Sequence, residues 1–148
     1  TRLHINNLNS WPLVLLFQEL LLILRMAAKP LYIASSVEEL MKIGNKDEIP
    51  GGALFKKNID NISKAAHNAL ITYHDEEWAY VLYYRIADTL AREMKKKNVD
   101  KKYLDLFKDL LIKSTTTLED LGRSLTKRYE EKQKLIQEEN FSSSKNRR

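Results

Sequence analysis

Cysteine is absent from the 148 residues, which excludes disulfide frameworks, thiolate zinc sites and cysteine nucleophiles within this chain. A reducing, cytoplasmic setting is the expected home. Glycine and proline are scarce, with four and three residues. Sandwiches and barrels need a turn signal roughly every 8–12 residues, so an all-β fold is excluded and an all-α fold is predicted. Gly-rich phosphate loops, a Gly-x-Ser-x-Gly elbow and paired-carboxylate motifs are also missing, which leaves no candidate catalytic or cofactor-binding group.

A sustained charge of one sign is lacking too, although the formal net charge is +5. Residues 1–25 carry two basic and one acidic side chain, residues 26–140 twenty and nineteen, and residues 141–148 three and none. The body is balanced and the basicity sits mostly in a short tail. Such a body offers no electrostatic footprint for phosphate, so nucleic acid is not an expected partner. The apolar run Leu13–Leu24 is interrupted by Gln18 and Glu19. It falls short of the roughly 20 residues that span a bilayer, and Arg25 stands where small residues would precede a signal-cleavage site. No membrane insertion is expected. Met26-Ala27-Ala28-Lys29-Pro30 reads as an ordinary protein start, so residues 1–25 are expected to be a disordered or translated leader outside the native product.

What is present is helical periodicity, and at 43% hydrophobic the chain can bury a core. Ser36 and Glu39 have capping-box spacing and predict a short helix from Val37 to about Ile43, ended by Gly44-Asn45. Ile49-Pro50-Gly51-Gly52 reads as a loop. Phe55, Ile59, Ile62, Ala66, Ala69 or Leu70, and Tyr73 recur every three or four residues and draw one stripe on a helix. Asp75-Glu76-Glu77 places carboxylates at the positive end of the next helix, over about 75–97, which Lys95-Lys96-Lys97 closes. The interior of that helix, from Trp78 to Ala87, is apolar nearly all round and should be central. Asp100 caps a third segment bearing Tyr103, Leu104, Phe107, Leu110 and Leu111. Thr117 with Asp120 starts a last helix along Leu118, Leu121, Leu125, Tyr129 and Ile136. That helix becomes strongly charged after Tyr129, as suits a stalk or a partner-facing helix, and residues 140–148 are expected to be disordered.

His67 and His74 lie seven residues apart with Asp75, Glu76 and Glu77 close by, so a metal site is conceivable. The di-iron bundle pattern wants a glutamate three residues before each histidine, where this chain has Lys64 and Ile71, so no metal is expected. Tyr80, Tyr83 and Tyr84 are read as core, with their outward members as possible contacts.

Three of these passages together resemble a known family, the N-terminal domain of ubiquitin carboxyl-terminal hydrolase 8, shared more distantly with the endosomal STAM-binding protein. Leu31-Tyr32-Ile33-Ala34-Ser35-Ser36-Val37-Glu38-Glu39-Leu40 is similar to its opening, Asp75 to Tyr84 to its most distinctive stretch, and Leu125-Thr126-Lys127-Arg128-Tyr129-Glu130-Glu131 to its closing helix. The resemblance spans roughly residues 30–139 and departs at Gly51-Gly52 and at Trp78. It implies a helical bundle related to the microtubule-interacting and trafficking (MIT) module, with a short first helix and an extended charged last one. It also implies a non-catalytic, often dimeric domain that places a deubiquitinase on endosomes, with the cysteine-dependent catalytic domain elsewhere. The implied partners are the amphipathic C-terminal helices of charged multivesicular body proteins, bound helix-in-groove. Tyr83, Arg85, Lys127, Arg128 and Tyr129 are the candidate contacts. The alternative is a purely structural homodimerisation domain, using the charged end of the last helix and the segment near Leu31–Leu40. Mass spectrometry of the endogenous protein is expected to find no peptide from Leu13–Leu24, and finding one would contradict the leader assignment.

Overall fold

The computed structural model describes residues 13–16, 18, 28–96 and 99–146. Most of the proposed leader therefore lies outside the described residues, as do Lys97, Arg147 and Arg148. From residue 37 onward the described chain forms four helices: α1 Val37–Lys46, α2 Phe55–Ile71, α3 Glu76–Met94 and α4 Lys101–Asn146. It is an all-α bundle with a short first helix and a long last one.

Helix α3 is the centre of the bundle, packed against each of the other three. Its buried positions, Ala79, Tyr80, Val81, Leu82, Ile86 and Leu90, point in several directions, as the unbroken apolar stretch requires. Leu40 of α1, Ile59 and Ala66 of α2, and Leu121 and Leu125 of α4 meet it from three sides. Each large aliphatic side chain removed from water there contributes about 1.5–3 kcal/mol. At one end Phe55 of α2 reaches Phe107 of α4 edge-to-face, with ring centroids 5.6 Å apart.

The helix ends follow local chemistry. Ser36 Oγ accepts the Glu39 N–H at 3.3 Å, and the Glu39 carboxylate turns back one residue further than the usual capping box, to the Ser35 N–H and hydroxyl at 3.0 and 2.9 Å. Those hydrogen bonds hold the Glu39 carboxyl below its ordinary range. Helix α2 stops at Ile71, so Tyr73, expected on the core stripe, is 68% exposed. The Thr72 and Tyr73 N–H groups fold back on the Asn68 carbonyl, and His74 takes a left-handed conformation, φ 52°, that swings the chain into α3.

Two boundaries differ from the sequence expectation. Gly44 does not end α1, which continues to Lys46 with Gly44 buried in it. A Cβ there would stand 2.7 Å from Tyr84 Cδ1 and 3.3 Å from the Val81 carbonyl, so the glycine lets α1 approach α3 closely. Thr117 does not start a new helix. The hydroxyls of Thr115, Thr116 and Thr117 donate to the carbonyls of Leu111, Ile112 and Lys113 at 2.8, 2.9 and 2.9 Å, which lets three β-branched polar residues sit inside one continuous helix. Helix α4 is thus 46 residues, and it continues to Asn146 through the end for which disorder is expected. Every residue from Glu130 to Asn146 is exposed.

Gly44→Ala should lower stability to urea by about 1–3 kcal/mol through overpacking against Tyr84. In an open helix the same change raises stability by about 1 kcal/mol. A stabilised Gly44→Ala variant would show that α1 does not seat closely on α3.

Candidate protein-interaction site

The start of α3 is where three distant parts of the chain are tied together. Asp75 caps the helix, its Oδ1 accepting the Trp78 N–H at 3.0 Å. Its other oxygen accepts the Tyr32 hydroxyl at 2.5 Å and lies 3.5 Å from Lys29 Nζ. Glu77 is 2% exposed, and among the described residues no cation pairs with it. Oε1 instead accepts the backbone N–H groups of Tyr32 and Ile33 at 2.6 and 3.1 Å. Oε2 accepts the Ala34 N–H at 3.1 Å and the Tyr129 hydroxyl at 2.7 Å. Four donors and the positive end of α3 offset the cost of taking this carboxylate out of water. Glu76, between them, pairs with Arg128 Nη1 at 2.9 Å, and Arg128 Nη2 donates to the Lys29 carbonyl at 2.7 Å. Residues 29–34 thereby become a strap across α3 and α4, fastened also by the Lys29 N–H to the His74 carbonyl at 3.0 Å.

Three of the five candidate contacts are engaged within the chain, two of them by these ties. Tyr129 is 5% exposed, with its hydroxyl committed to Glu77. Arg128 is held between Glu76 and the strap. Arg85 lies under the end of α1, its Nε 3.5 Å from the Gly44 carbonyl and its Nη2 3.5 Å from Asp47. Tyr83 and Lys127 are the two that border open space, and they border different grooves.

The first groove, about 720 Å³, runs between α1, α3 and α4. Its floor is the stacked pair Tyr80 and Tyr84, ring centroids 6.4 Å apart, and its walls include Met41 and Leu118. Lys127 stands on the α4 rim with Glu119, Arg123 and Glu130. The second lies between α2 and α4, as adjoining hollows of about 390 and 480 Å³. Tyr83 and Leu110 line it, with His67 and Lys113 at the edge. Among the described residues the buried hydroxyls of Ser63 and Ser114 in this groove have no hydrogen-bond partner, and Ser114 is 1% exposed. Burial raises the Tyr83 hydroxyl above its ordinary range, so it remains a donor at neutral pH.

The described residues hold no group of three or more metal-ligating side chains, and none of their helices is long and apolar enough to cross a membrane. His74 shapes a turn and the neighbouring acids serve the strap. Sequence reading found these acids but assigned them only to the helix end. Three consecutive carboxylates where one suffices for a cap were the signal that two had other work.

Fold and site together define a helical protein-interaction domain whose polar ties are structural and whose open features are grooves. The chain matches the family model described as the USP8 dimerisation domain over residues 26–132, and it belongs to that family. It is a non-catalytic dimerisation domain of the USP8 type. No curated protein and no solved structure matches it.

Removing one donor from the buried carboxylate, in Tyr129→Phe, should cost about 1.5–3 kcal/mol in urea denaturation, and Glu77→Gln about 3 kcal/mol or more. A Tyr129→Phe variant as stable as the parent would mean that the hydroxyl leaves Glu77 in solution. Burial and the Asp75 hydrogen bond push Tyr32 up to about 12, and burial and the Glu77 hydrogen bond push Tyr129 up as well. A folded pKa above the unfolded value means that this stability is complete below the unfolded value, about 10, and is lost as pH rises through the folded one. Stability should therefore be level up to about pH 10 and then fall, with a shallower fall in Tyr129→Phe.

Proposed function

We propose that this chain is the self-association and recruitment domain of a deubiquitinase of the ubiquitin carboxyl-terminal hydrolase 8 type, working in the cytoplasm at the endosome surface. The cysteine-protease activity belongs to another part of the parent protein. Family membership supports the self-association. For recruitment, the partners are amphipathic C-terminal helices of charged multivesicular body proteins, seated helix-in-groove as MIT-type modules do.

The observation that carries the recruitment reading is the groove between α2 and α4. It lies open between two helices and joins an apolar floor to a polar edge, the combination that an amphipathic helix fills. Tyr83 supplies an aromatic anchor with a hydroxyl donor, and His67 and Lys113 are placed to meet acidic residues of the incoming helix. The competing reading is homodimerisation alone, favoured by the family's own description.

Calorimetric titration of the full chain with peptides from those C-terminal tails separates the two. Saturable binding with Kd of about 1–100 µM is expected, the range for one short helix in a small groove, with Tyr83→Ala weakening it about ten-fold. Heat-silent titrations with every tail, from a chain that is dimeric by mass, would leave homodimerisation as the function.

A further inference from the structure

We propose that the aromatic hollow between the strap and the α2–α3 turn binds a proline-rich segment of another protein, in the polyproline II conformation and with an acidic residue beside the prolines. This surface is separate from both grooves, and the inference does not rest on the recruitment reading.

Exposed aromatic rings are the first observation. The hollow, about 730 Å³, is lined by the buried Ala69 and by Tyr32, Tyr73 and Trp78. These three aromatic residues are 56, 68 and 39% exposed. The fold uses little of their rings: Tyr32 gives its hydroxyl to Asp75, Trp78 its backbone N–H to the same residue, and Tyr73 its backbone N–H to Asn68. Single exposed apolar residues need no explanation, but three large aromatics converging on one hollow mark a binding surface.

Backbone geometry narrows the occupant. The hollow lies across a turn and an irregular strap rather than along a pair of helices, so it offers no channel for an amphipathic helix. Strand pairing is closed as well, because the N–H groups of Lys29, Tyr32, Ile33 and Ala34 are taken by the His74 carbonyl and by Glu77. A polyproline II segment needs neither device. It makes no internal backbone hydrogen bonds, it is already ordered before it binds, and its pyrrolidine rings pack on aromatic faces.

Charge decides what flanks the prolines. A cationic ligand finds its place filled, since Lys29 Nζ already stands 4.4 Å from the centre of the Tyr32 ring and 3.5 Å from Asp75. Asp75 is buried and also accepts the Tyr32 hydroxyl and the Trp78 N–H, so its charge is spent inside the fold. Lys29 is half-exposed and is the one cation among the residues that line the hollow. The charge shown to solvent is positive, and a carboxylate beside the prolines complements it.

The test is calorimetric titration of the full chain with a hexaproline peptide bracketed by glutamates, the same peptide bracketed by lysines, and a glycine–serine peptide bracketed by glutamates. The first should saturate with Kd of about 10–500 µM, and the other two should bind about ten-fold or more weakly. Tyr73→Ala should weaken the first about ten-fold at an unchanged melting temperature, because the fold does not use that ring. In a Trp11→Phe chain Trp78 is the sole tryptophan, and its emission should shift to the blue as the peptide covers it. A glutamate-bracketed hexaproline that never saturates, or that binds Tyr73→Ala as it binds the parent, would overturn the proposal. Equal binding of the lysine-bracketed peptide would overturn the acidic flank, and equal binding of the glycine–serine peptide would overturn the proline.

Discussion

A carboxylate withdrawn from water must be supplied with hydrogen bonds, and Glu77 draws four from two separated stretches of chain, the strap and α4. That requirement shapes the end of the bundle. Backbone N–H groups of the strap have no helix or sheet partner of their own, so they and the carboxylate satisfy each other. Tyr129 brings α4 to the same point, and the first turn of α3 supplies the dipole. Glu76 with Arg128 and Asp75 with Tyr32 repeat the motif at the margin, where solvent makes each worth less. Three consecutive acidic residues thus fasten an irregular segment and a distant helix to the central one.

Much of the architecture was legible because apolar periodicity and caps dominate it. The stripe of α2 as far as Leu70, the packing of α3 on several sides and the Ser36 and Asp75 caps follow from residue spacing, and each is realised. The misread positions share a cause: their residue types report on a neighbour that spacing does not reveal. Gly44 looks like a stop signal because nothing in sequence announces Tyr84 across from it. Thr117 looks like a cap because its hydroxyl can bond either forward to an N–H or backward to a carbonyl, and the continuous burial of Phe107, Ser114, Leu121 and Leu125 along one helix selects the second. Among the candidate contacts, Arg85, Arg128 and Tyr129 carry the residue types favoured at interfaces, yet long-range partners within the chain claim them. No local pattern distinguishes an arginine that ties its own fold from one that awaits a partner.

What the ties leave free is organised around α3. One groove lies on its α2 side and one on its α1 side, each floored by tyrosines from the same helix. A central helix covered on only part of its circumference, with a long α4 extending past the bundle, suits a domain that gathers other chains. The strap matters here because it fixes where α4 leaves the bundle, and hence the direction of its exposed end.

Native-state hydrogen exchange at single amides measures directly whether the Glu77 carboxylate holds the strap in place. The N–H groups of Tyr32, Ile33 and Ala34 should exchange only with the opening of the bundle, alongside amides of α3, although no helix contains them. Exchange of these three at the rate of an open chain, while α3 stays protected, would show that the strap is not fastened and that Glu77 is buried for another reason.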